Sequence, residues 1–103
     1  MVSYSDKVAA EDGIHELQEI LAGYKELGHI QVRKRGGSLI LYSGHPEDEE
    51  KHARMTYLGQ HAWGLSFPRH AGGWEPAPFV GSLKDLTETL VRDFGLFLTQ
   101  AQQ

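Results

Sequence analysis

Cysteine does not occur in the 103 residues, which excludes a disulfide scaffold, a thiolate metal site and a cysteine nucleophile. Positive charge is in short supply: 10 lysines and arginines stand against 14 acids, for a formal net charge of −4 and a pI near 5.8. Unspecific affinity for phosphate depends on clustered positive charge, so a general nucleic-acid binder is disfavoured and only a localised basic patch stays open. Long apolar runs are missing too. No segment approaches the roughly 18 consecutive apolar residues of a membrane helix, and MVSYSDKVAAEDG has no basic region leading into an apolar one. These absences give the expectation of a soluble, cytoplasmic protein that does not engage a membrane.

Catalytic signatures are equally scarce. Ser38, Ser43, Ser66 and Ser82 each read as turn, strand or cap residues, and none sits in a G-x-S-x-G or S-x-x-K frame. There is no G-x-x-x-x-G-K, and Gly36-Gly37 lies between two strand-like segments rather than before a helix, so no phosphate cradle forms. His45, His52, His61 and His70 are spread too widely for a zinc site, whose ligands usually include a pair fixed by one local stretch of backbone. Pairs such as His52 with Glu50 or His70 with Glu75 are what any chain with 14 acids and 6 histidines offers. No catalytic residue, metal ligand or cofactor is assigned.

What is present is a balanced composition, 40% hydrophobic and 23% charged, suited to one domain over residues 1–103. Ser5 is placed to cap a helix in which Ile14, Leu17, Leu21, Tyr24 and Leu27 recur at steps of three and four, with Gly28 as its stop. Gly13 and Gly23 interrupt that span, so the turns before Ile14 are expected to be frayed or separate. From His29 the period becomes two. Gly36-Gly37 then makes a two-residue hairpin loop that sets Arg33 opposite Ile40, Val32 opposite Leu41 and Gln31 opposite Tyr42. The acidic segment Gly44–Lys51 reads as an exposed loop.

A second hairpin follows. A three-residue loop Gly59-Gln60-His61 pairs Tyr57 with Trp63, Met55 with Leu65 and Ala53 with Phe67, matching large apolar residues. Beyond Pro68, WEPAPFV reads as an edge strand or an extended cover, because its prolines cannot donate to a ladder. Ser82 and Asp85 fit a capping box ahead of the stripe Leu83, Leu86, Leu90, Phe94 and Phe97. The whole predicts an α+β two-layer sandwich: an N-terminal helix, an antiparallel sheet of four to five strands built from two hairpins, and a C-terminal helix, with both helices on one sheet face. This order, with GGSLILY early and GSLKDLTETLVRDFGL late, is similar in outline to double-stranded-RNA-binding-like folds, including the HicA-type ribonuclease toxins. Members of that group carry a histidine just after a Gly-Ser pair or a lysine cluster opening the last helix. Here Leu39 follows Gly37-Ser38, and Lys84 stands alone beside Asp85.

Two places remain for a function. Alternation puts Arg33, Arg35, Tyr42 and Arg54 on the sheet face away from the helices, because Val32, Leu41 and Met55 must point toward them. The second is the turn in HAWGLSFPRHAGGWEP, His61–Pro76, where Arg69, His70 and Trp74 combine residue types common at binding hot spots. Trp63 reads as core, whereas Trp74 is either a contact residue or a cover for the helix pair. The reading that follows is a non-catalytic binding or interaction module using this face and loop. A nucleic-acid-binding protein is the alternative and a small hydrolase or nuclease the third. Partner identity and oligomeric state carry no signal in the sequence.

Overall fold

A computed structural model describes residues 4–45 and 47–95. Helix α1 (Tyr4–Ala22) leads into strands β1 (Gln31–Arg35), β2 (Ser38–Ser43), β3 (Glu50–Gly59), β4 (Ala62–Pro68) and β5 (Trp74–Gly81), and helix α2 (Leu83–Asp93) closes the order. The strands form one antiparallel sheet in the order β1-β2-β3-β4-β5. Leu17 and Leu21 of α1 and Leu83, Leu86 and Leu90 of α2 share one core cluster with Val32, Leu39, Leu41, Met55, Trp63 and Leu65 of the sheet. Both helices therefore cover the same sheet face, and the fold is the expected two-layer α+β sandwich. No helix among the described residues is long and apolar enough to cross a membrane.

Helix α1 differs from expectation at both ends. Ser5 lies inside it, and the helix runs unbroken through Gly13. It ends at Ala22 rather than near Gly28. Gly23 weakens propagation, and Tyr24 turns extended at φ −115°, ψ 108°. A short 3-10 turn, Lys25–Leu27, then carries Leu27 back into the core at 4% exposure. Gly13 has a packing reason. A Cβ built there falls 2.9 Å from Trp63 Cζ2, so only a residue without a side chain lets the helix lie this close to the indole.

The first hairpin has the expected register, Arg33 opposite Ile40 and Val32 opposite Leu41. Gly36 alone takes a positive φ, 60°, the pattern of a type II′ turn. The second hairpin keeps the expected pairs Tyr57–Trp63 and Met55–Leu65 by a different route. Its loop is the two residues Gln60-His61, both left-handed at φ 53° and 64°, and Gly59 pairs with Ala62. An extra residue, Leu58, bulges out at 57% exposure and restores the register that a three-residue loop was expected to set.

A second bulge places His52 between the pairs Leu41–Ala53 and Tyr42–Lys51. Strand β5 is an edge strand, with Ala77, Pro78 and Phe79 all opposite the single residue Leu65 of β4. Phe79 and Phe67 both pack on Phe94, at ring-centroid distances of 5.7 and 4.9 Å. The expected capping box is present: Ser82 Oγ accepts from Asp85 N at 3.0 Å, and Asp85 Oδ2 accepts from Ser82 N at 3.4 Å. Phe97 lies outside the described residues.

Candidate functional site on the open sheet face

Register places the site. Arg33, Ile40, Arg54, Ser66 and Pro76 form one cross-strand row, on the opposite side from the core residues Leu39, Leu41 and Met55. Arg33, Arg35 and Arg54 accordingly stand on the face away from the helices. Ile40 stands there too, yet is only 2% exposed and lies outside the main core cluster. Its cross-strand neighbours are the two arginines, whose aliphatic stems flank it.

Each of these arginines also lies against an aromatic ring. The Arg33 guanidinium carbon is 4.6 Å from the Tyr42 ring centroid, and that of Arg54 is 5.3 Å from the Trp74 ring centroid. Trp74 reaches this face because it pairs with Pro68, two residues along from the Ser66–Pro76 pair. It therefore does not cover the helices; it is a half-buried part of the open face.

The two arginines differ electrostatically. Arg33 Nη1 and Nη2 donate to Glu49 Oε2 and Oε1, each at 2.6 Å, a bidentate pair. This pairing holds the Glu49 carboxyl below its ordinary range and raises the guanidinium of Arg33. Among the described residues Arg54 has no such acid, and its Nε is buried without a hydrogen-bond partner. A buried donor left unmade costs about 1–3 kcal/mol, and the contact with Trp74 offsets part of that cost. Arg35 is exposed and has no ion pair among the described residues.

Five of the seven candidate residues, Arg33, Arg35, Tyr42, Arg54 and Trp74, thus share one surface. Arg69 and His70 do not join it. They occupy the tip of a tight turn closed by Arg69 N donating to Gly73 O at 3.0 Å, and Arg69 pairs loosely with Glu75 at 3.7 Å. Glu75 pairs with Phe67, on the opposite side of β5 from Trp74.

Two features had escaped the sequence reading. Glu49 belongs to an acidic run that reads as mutually repelling loop residues, yet it is drawn onto the sheet face by Arg33. The other is a buried polar pair, Ser43 Oγ and His52 Nε2 at 2.8 Å, with the His29 ring edge-on to His52 at 6.2 Å. At 3% and 2% exposure these groups are closed to a substrate, so the pair serves the interior rather than nucleophilic chemistry. Among the described residues no group of three or more histidines or acids is arranged to hold a metal. Compared with protein-family models, curated proteins and solved structures, the chain matches none.

Proposed function

We propose that this chain is a non-catalytic binding module that engages a protein partner through its open sheet face. The observation that carries this reading is Arg54 lying on Trp74 on the open face. Arginine and tryptophan are the types that dominate interface energetics, and here they form one pair that a partner can cover. Nucleic-acid binding fits less well. Glu49 already cancels Arg33, so Arg35, Arg54 and Lys51 are the cations left on the face without an ion pair among the described residues, few for the phosphate contacts that such binding rests on.

The test uses a photo-crosslinking residue in place of Thr56, on this face, with a control in place of Glu88 on the exposed side of α2. Crosslinking to a protein at position 56, absent at 88 and lost in folded Arg54→Ala and Trp74→Ala chains, supports the module. Nuclease-sensitive crosslinks at position 56 move the assignment to nucleic acid. Crosslinking indifferent to both substitutions refutes the role of the face.

A further inference from the structure

A second site lies in the helix-covered layer, apart from the open face and independent of the role proposed for it. Between the first half of α1 and the β3–β4 turn is a cleft of about 500 Å³, within the roughly 300–1,000 Å³ of small-molecule sites. Gly13 and Trp63 form its floor and Tyr57 a wall, the two rings meeting edge to face at 5.1 Å. Val8, 38% exposed, extends the apolar lining.

The charged groups lining this cleft are both acids. Asp12 and Glu16 stand one helical turn apart at its rim. Neither has an ion-pair partner among the described residues, whereas Glu11 on the same helix is taken by Lys34 at 3.2 Å. Like charges at this spacing destabilise a helix when nothing neutralises them. The opposite lip is His61, held left-handed at φ 64° in a turn that glycine or asparagine suits better. Its backbone N–H donates to Tyr57 Oη at 3.4 Å, tying the turn to the cleft wall.

We propose that this cleft binds a small organic ammonium ion with an apolar body. The ammonium group sits between the Asp12 and Glu16 carboxylates, and the apolar body lies against Tyr57 and Val8, above the largely buried Trp63. Two carboxylates over an aromatic and aliphatic floor, with no lysine or arginine among the described residues that line the cleft, select charge and shape together: an anion is repelled and a neutral molecule forfeits the charge.

The intact chain carrying Trp74→Phe, which leaves Trp63 as the reporting fluorophore, is titrated with phenethylamine and with its neutral isostere phenethyl alcohol. The amine is expected to give a saturable change in fluorescence and the alcohol none. Asp12→Asn and Glu16→Gln should each weaken the amine by roughly fivefold, with melting curves confirming the fold, and Arg54→Ala should leave it unchanged. An Nα-acetyl-lysine amide probe distinguishes the source of the ammonium: tighter binding than phenethylamine assigns the same site to a lysine side chain. No saturable change up to about 10 mM amine, equal binding of the alcohol, or indifference to both carboxylate substitutions overturns the proposal. None of these outcomes bears on the open sheet face.

Discussion

Placing a methyl group at residue 13 sets two effects of opposite sign against each other. In a helix interior alanine is favoured over glycine by about 1 kcal/mol. Against this, the new carbon lies 2.9 Å from Trp63 Cζ2, 3.0 Å from Cη2 and 3.3 Å from Leu39 Cδ1, where comfortable carbon contacts need about 3.5–4.0 Å. The indole is rigid and 5% exposed, and Leu39 is fully buried, so neither has room to yield. Overpacking of this kind costs about 1–3 kcal/mol, and Gly13→Ala is therefore expected to be net destabilising by about 1 kcal/mol, lowering Tm by roughly 4–8 °C. Thermal and urea melts measure it. In a Trp63→Phe background the outer indole ring is gone, and the same substitution should become neutral or stabilising by up to about 1 kcal/mol. If Gly13→Ala raises stability beside an intact Trp63, or the double-mutant cycle shows no coupling, the account of Gly13 is wrong.

Glu49→Gln removes a carboxylate whose folded-state titration is depressed by Arg33. A depressed carboxylate contributes stability at neutral pH that is lost as pH falls through its folded value. Urea melts should therefore show the variant weaker than the parent at neutral pH, with the two converging in acid; a gap that persists in acid refutes the ion-pair account. With Trp63→Phe leaving Trp74 as sole fluorophore, acrylamide quenching should be intermediate and should rise on Arg54→Ala, because the guanidinium lies over the ring; an unchanged quenching constant refutes the stacking. Ser82→Ala removes the Oγ that accepts from Asp85 N, leaving only the Ser82 backbone N–H to Asp85 half of the capping box, and should cost about 1 kcal/mol in urea melts.

The hairpin at Gly36-Gly37 was legible because a two-residue loop fixes every cross-strand pair by counting. The Tyr57–Trp63 pairing was legible for another reason: only that register matches large apolar residues, so burial decided it whatever the loop. How the chain achieves it was hidden, since Leu58 looks like any strand residue and becomes a bulge only once Gln60-His61 turns. The end of α1 was misplaced because Tyr24 and Leu27 continue the helical period, although a 3-10 turn delivers Leu27 to the core. Arg33 and Arg54 could be assigned a face by alternation. Their partners Glu49 and Trp74 could not, since both reach that face from a loop end or an edge strand whose position depends on long-range register.

The two outer strands have a consequence for association. β1 carries Arg33, Lys34 and Arg35, with Lys34 turned to the helix layer and held by Glu11, while β5 interrupts its donors with Pro76 and Pro78. An incoming extended chain, whether a foreign peptide or another copy of this protein, meets long charged side chains on one border, two of them already engaged by Glu49 and Glu11, and missing N–H groups on the other. Growth of the sheet into ribbons or fibrils is thereby discouraged even at high protein concentration.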